Sequence, residues 1–198
     1  MAKYSLIDAS LLKPGDKILF HTKGLSPISV SIRWLTKSFW NHVGQYEEDN
    51  YKGYVIEALG KGVVKTLIEK YINNKSYILK VVRLKESAFK DHEEYIKGLE
   101  TSRDRMYSSI GSKYDYWGIV WLGLKYTFKG FFKKTPVNLF QNREKFFCSE
   151  RVCESDYKIS SLHPYMYQGK TKQKCDTTTP KDIGKAQTVA FITGENKD

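Results

Sequence analysis

Five short β-type runs within the first 85 residues constrain this chain more than anything else in it. Lys17–Thr22 follows the turn Lys13-Pro14-Gly15-Asp16 and alternates enough to be a strand. Residues 41–46 read as a strand entering the core and 54–58 as its return, with the polar stretch 47–53 as the hairpin loop. Gly60-Lys61-Gly62 makes a second tight turn before the short run 63–67. Residues 76–83 are the most β-like of all. An antiparallel meander is the economical assembly of these strands.

Helical signals surround them. Ser26 as N-cap and Pro27 at the first helical position open a helix with Ile28, Ile32 and Leu35 on its apolar face, reaching about Phe39. Residues 87–109 suit a second helix, with Tyr95, Leu99, Met106 and Ile110 on one face and Gly111 ending it. The aromatic, glycine-punctuated stretch 114–126 is expected to be helical and buried. Residues 128–136 are basic and aromatic: either a membrane- or substrate-facing patch, or a loop with a packed hydrophobic flap. A capped helical turn at 179–183 and a last strand at 188–192 complete an α+β fold. With no internal repeat, low-complexity tract or linker, the expectation is one domain over residues 1–198, carrying a basic aromatic insertion near 128–142.

The 198 residues suffice for one well-cored domain, and 40% hydrophobic content argues for a globular one. Lysine and arginine outnumber acidic residues 33 to 22, a formal charge of +11. That charge attracts polyanions such as wall polymers bearing phosphate or anionic lipid, or it is simply a solvated basic surface. Zinc-finger spacing, a recognition-helix motif and a basic heptad array are all missing, so sequence-specific nucleic-acid binding is not expected. The N-terminus carries no secretory signal and no run of 18 apolar residues occurs, which leads to the expectation of a cytoplasmic or virion-associated protein.

Chemistry centres on Phe146-Phe147-Cys148-Ser149-Glu150-Arg151-Val152. The two phenylalanines end an apolar run, and the residues after Cys148 suit the first turns of a helix. A cysteine there faces unpaired backbone N–H groups and the positive end of the helix dipole, surroundings that favour a thiolate nucleophile. The chain has three cysteines, at 148, 153 and 175, so at least one is unpaired and the chain is not a disulfide scaffold. Cys153, five residues on, lies on a different helix face and is expected to be packed.

A nucleophilic thiol needs a base, and the base needs a polar group to orient it. Of the four histidines, His92 lies on a charged helical face, His163 precedes a proline in a loop, and His21 is either structural or pocket-lining. His42 differs, because it opens an apolar strand and Gly44 allows close approach beside it. Glu57 interrupts the apolar run Val55-Ile56-Glu57-Ala58, where a carboxylate is costly to bury without a partner. The register of 42–47 against 54–58 decides whether Glu57 reaches the His42 ring.

The order Asn41-His42-Val43-Gly44, Ile56-Glu57-Ala58 with Gly62-Val63, Tyr114-Asp115-Tyr116, Phe147-Cys148-Ser149-Glu150-Arg151-Val152 and Thr179-Pro180-Lys181-Asp182 resembles the YiiX-like branch of the circularly permuted NlpC family. The resemblance runs from about Pro14 to Asp182. It implies a permuted papain-like fold, an antiparallel sheet packed against helices, in which histidine precedes cysteine. It further implies Cys148 as nucleophile, His42 as base and Glu57 as third polar residue, with Tyr114 or Tyr116 as a second oxyanion donor and Ser149 in the same pocket. Arg151, where the related motif more often has Leu, and the basic insertion bear on the substrate. Neither a metal nor a cofactor is expected.

Acyl transfer through a thioester follows from that resemblance, as in a cysteine peptidase or amidase acting on a peptidoglycan-type peptide or another short amide. Two other readings stand beside it. One is a lipid or N-acyl hydrolase or acyltransferase that uses the charge and Phe131-Phe132-Lys133-Lys134 at a membrane surface. The other is a non-enzymatic virion component that binds polyanions through the same basic face.

Overall fold

The computed structural model describes residues 7–23, 38–72, 74–114, 145–146, 148–164, 166–167, 175 and 178–195. The helix expected from Ser26, most of the aromatic stretch 114–126 and the insertion at 128–142 lie outside them.

Among the described residues, six strands form one antiparallel sheet. In chain order they are β1 (Lys17–Thr22), β2 (His42–Asp49), β3 (Lys52–Leu59), β4 (Gly62–Leu67), β5 (Tyr77–Leu84) and, near the C-terminus, β8 (Val189–Gly194). A two-stranded parallel pair, β6 (Lys113–Tyr114) and β7 (Lys145–Phe146), stands beside β4, and β7 leads toward the helix that carries Cys148. The helices are α1 (His92–Ser108), α2 (Cys148–Ser155) and α3 (Pro180–Lys185). The α+β class and the antiparallel sheet packed against helices are as the sequence implied.

The meander holds only in part. Strands β1 to β4 are successive neighbours, but β5 does not continue past β4. The sheet order is β4-β3-β2-β1-β5-β8, so the chain crosses back after β4 and pairs β5 with the far side of β1. The 47–53 loop is also shorter than its polar sequence suggests. Glu47, Glu48 and Asp49 stay in β2, and the reversal is made by Asn50 and Tyr51 alone, at φ of 49° and 61°. Two successive positive φ values match the twist of the flanking strands in a two-residue hairpin.

Each face of the sheet is covered. On one, Leu19, Val43, Ile56, Ala58 and Val82 pack with Met106 of α1, Cys148 and Val152 of α2 and Ile183 of α3. On the other, Ile18, Phe20, Tyr46, Val55, Leu79 and Val81 pack under Ile7, Leu12, Ile68 and Tyr71. Strand alternation sorts these two sets. Helix α1 begins later than residue 87, because the Asp91 side chain accepts the Glu94 N–H as an N-cap and a short 3₁₀ turn, Glu86–Ala88, precedes it. Its buried line is Gly98, Ser102 and Met106; Tyr95 and Leu99 are partly buried, and Ile110, beyond its end, is exposed. Helix α3 starts with a full capping box between Thr179 and Asp182, with Pro180 at its first position.

Between α1, α2 and the sheet lies a buried polar network. Lys17 Nζ donates to Gln45 Oε1 at 2.6 Å and stands 3.0 Å from Asp156 Oδ2. Asp156 also accepts from the Ser102 and Tyr167 hydroxyls. Gln45 Nε2 donates to Glu47 Oε1 at 2.7 Å, and Arg103 Nε lies 3.3 Å from Glu47 Oε2. Lys17, Gln45, Glu47, Ser102 and Asp156 are all fully enclosed. The network explains why Glu47 belongs to a strand and not to a loop: its carboxylate faces inward to a partner.

Cys153 and Cys175 form a disulfide, leaving Cys148 as the free cysteine. The expectation that Cys153 is packed away from Cys148 agrees with this. Its pairing with Cys175 was not foreseen.

Candidate active site

The site is built where β2 and α2 both begin. His42 is the first residue of β2 and pairs across to Phe20 of β1, whose ring centroid lies 5.2 Å from the imidazole. Tyr46 opposite Val55 and Gln45 opposite Ile56 fix the β2–β3 register and set Glu57 beside Gly44. Glu57 thereby shares a face with His42, two positions away along β2. Its Oε2 lies 2.6 Å from His42 Nε2. The carboxylate is fully buried and the imidazole 17% exposed.

Gly44 is what lets this pairing close. A Cβ there would stand 2.5 Å from Val55 Cγ1 and 3.1 Å from both Glu57 Cβ and the Ile56 carbonyl oxygen. Val55 is fully buried and cannot swing away. Gly44→Ala is expected to cost about 1–3 kcal/mol by overpacking and to push Glu57 off His42. Urea unfolding reads the first effect, and an unchanged midpoint would contradict the close approach.

Cys148 is the first residue of α2 and is 2% exposed. Its side chain lies close enough to His42 to favour the charged imidazole. With Nε2 on Glu57, Nδ1 is the ring nitrogen left for the sulfur. Burial disfavours the imidazolium, but the Cys148 charge and hydrogen bond, then those of Glu57, outweigh it and raise His42 to about 10. For Glu57, burial pushes the carboxyl up, yet hydrogen bonding and charge from His42, with hydrogen bonds from Tyr71 and Thr66, bring it below its ordinary value. His42 and Glu57 therefore support each other as an imidazolium–carboxylate pair, with Cys148 beside the imidazole.

Of the other expected residues, Ser149 is buried, and its hydroxyl donates to the Thr178 carbonyl at 2.6 Å, tying α2 to the segment ahead of α3. Tyr114 falls in β6, and Tyr116 lies outside the described residues. His21 contacts the Phe39 carbonyl through Nδ1 at 2.7 Å and stacks on the Phe39 ring, which is a structural role. His92 pairs with Glu86 at 2.9 Å on the surface, and His163 is exposed. Sequence reasoning missed Tyr71, whose hydroxyl donates to Glu57 Oε1. No local pattern marks it; only the crossing from β4 to β5 brings it over the sheet.

No protein-family model matches the chain, and no curated protein matches it either. A solved structure does. The metalloprotein YiiX from Escherichia coli O157:H7 (DUF1105) superposes with a TM-score of 0.61 at 17% identity, over 92% of this chain and 97% of that one. The YiiX fold thus extends over nearly the whole chain, consistent with a permuted papain-like architecture.

Proposed function

We propose that the protein is a cysteine hydrolase that cleaves an amide through a thioester, its substrate a peptidoglycan-type peptide or another short amide. The observation that carries this reading is the buried His42–Glu57 pair, 2.6 Å apart, with Cys148 at a helix start close enough to favour the same imidazolium. A buried carboxylate on one ring nitrogen and a thiol for the other is the arrangement that activates a sulfur nucleophile. The +11 charge would draw an anionic wall polymer toward the enzyme.

In this reading the Cys148 thiolate attacks the carbonyl carbon. The Cys148 backbone N–H, which has no intrahelical acceptor in the first turn, stabilises the developing oxyanion. His42 then passes its proton to the departing amine, leaving a thioester on Cys148. Water, losing a proton to His42, attacks that thioester, and the acid leaves as the thiol is restored. Glu57 keeps the ring oriented and its charge balanced throughout.

YiiX is described as a metalloprotein. Among the described residues no three His, Cys, Asp or Glu side chains gather to hold a metal. The described residues do not fit such a group, and no step is assigned to one.

Cleavage is tested by incubating the protein with purified muropeptides and following new amine termini by mass spectrometry, with an activity-based thiol probe located by peptide mapping. Product formation and probe on Cys148 in the wild type, both lost in Cys148→Ala, are expected. Full turnover by Cys148→Ala would overturn the reading. Cleavage of other amides with muropeptides left intact would redirect the substrate.

A further inference from the structure

We infer that Tyr71 is a positioning residue of this site: its phenol fixes the Glu57 carboxylate so that the opposite oxygen lies on His42, making a Tyr71–Glu57–His42–Cys148 chain. The inference rests on the hydrolase reading and extends it to a residue that touches neither sulfur nor imidazole nitrogen.

Glu57 is fully buried, so water cannot complete its hydrogen bonding. Each carboxylate oxygen instead has its own donor on a different element. Oε2 takes His42 Nε2 from β2, and Oε1 takes the Tyr71 hydroxyl from the crossing between β4 and β5. Two donors on opposite sides fix the rotation of the carboxylate about its last bond, which one donor does not.

Tyr71 is itself held. It closes the 3₁₀ turn Ile68–Lys70, its N–H donating to the Ile68 carbonyl at 2.9 Å, and it is 4% exposed. Its ring meets Phe20 edge-on at 4.8 Å and Tyr77 at 5.0 Å. Phe20 also touches His42, so one aromatic side chain sets the spacing of both groups that grip Glu57. Burial and the adjacent carboxylate raise the Tyr71 phenol well above its ordinary range, which keeps it a donor at any working pH.

The titratable groups that face Glu57 are His42 from β2, Tyr71 from the crossing and Tyr77 from β5, with the uncharged Thr66 hydroxyl from β4. Cys148 from α2 acts on it through His42. Removing the Tyr71 hydroxyl withdraws a hydrogen bond from the ionised carboxylate, so Glu57 takes a proton at higher pH. Below that point the imidazolium loses its counter-ion, and the thiolate loses its partner. The acid limb of Cys148 reactivity therefore moves upward.

The test is alkylation of Cys148 by iodoacetamide across pH 4–10, read by peptide mass spectrometry, in wild type and Tyr71→Phe. Phenylalanine keeps both ring contacts, and near-UV circular dichroism checks the fold. The acid limb is expected to rise by about one pH unit, with about a tenfold lower rate on that limb, since one unit corresponds to a factor of ten in protonation. Tyr77→Phe, which removes a hydroxyl from the same aromatic cluster, should leave the profile in place. In a Glu57→Gln background, Tyr71→Phe should add less than about a twofold change, because the two residues act as one unit. Thr66→Val, which removes a hydroxyl that favours the ionised Glu57 carboxylate, is a second variant and should shift the limb the same way. A Tyr71→Phe profile that overlays the wild type overturns the inference, as does an equal loss with Glu57→Gln present. If Tyr71→Phe unfolds, an unshifted Thr66→Val does so instead. A wild-type Cys148 that resists alkylation across the whole range overturns the hydrolase reading itself.

Discussion

His42→Gln is expected to lower turnover by about two to four orders of magnitude, the range of a positioned general acid–base group. Glutamine is the informative replacement, because its amide can still donate to Glu57 and so spares the buried carboxylate an unpaired state. What it lacks is a titratable nitrogen that can take a proton from the sulfur and give it to the leaving amine. The loss should appear in kcat, with KM within a few-fold, since His42 acts on charge that develops after binding.

The same substitution has a pH signature in stability. The His42 value is raised from 6.5 to about 10, so its contribution is fully present below 6.5 and lost as pH rises through about 10. Glu57 is lowered from 4.5, so its contribution is present above 4.5 and lost as pH falls through the lowered value. The stability gap between wild type and His42→Gln should therefore be widest between pH 4.5 and 6.5 and shrink toward pH 10. Urea unfolding at a series of pH values measures it. A gap that widens with alkali would mean that the imidazole is not held as a cation.

Asp156→Ala should be the most damaging single change to the fold, at about 3–5 kcal/mol, the cost of leaving one charge of a buried pair uncompensated. It strands the fully enclosed Lys17 ammonium 3.0 Å from where its partner stood, and removes the acceptor of the Ser102 and Tyr167 hydroxyls. For a chain of this size the loss corresponds to a fall in Tm of roughly 6–20 °C. Lys17→Met combined with Asp156→Leu removes both charges and is expected to be less damaging than Asp156→Ala alone, because an uncharged core of similar volume pays no desolvation. Differential scanning calorimetry of the two proteins decides it. A double variant that melts at or below the single one would show that the network's hydroxyls and amide, not the charge pair, hold α2 on the sheet.

Much of this architecture is legible in the sequence, because it rests on local pattern. β1 is bounded by its own turn and alternation, and α3 by Thr179-Pro180 with Asp182. His42, Glu57 and Cys148 stand out as polar or reactive groups in apolar runs, and the family resemblance orders them. What escaped was set by partners distant in the chain. Glu47 reads as loop, since its acidic neighbours hide the inward contact with Gln45 and Arg103. β5 reads as the next strand of a meander, since pairing with β1 is a property of the crossover and not of either run. Tyr71 is one of 14 tyrosines until the crossing lays it on Glu57, and Cys175 meets Cys153 from an irregular segment that carries no pairing signal.

The two halves of the site differ in how far apart they lie along the chain, and this bears on the order in which they can form. His42 and Glu57 are 15 residues apart across a two-residue hairpin, a unit of the kind that forms in microseconds. Cys148 comes 106 residues after His42, and β5 must find β1 and β8 must find β5 before the sheet is whole. Contacts that close such long loops are late and slow. During synthesis and refolding the imidazole and its carboxylate are thus in place well before the thiol reaches them. Until α2 docks, Cys148 stands apart from His42, so the pairing that the proposed reaction needs is completed only with the fold.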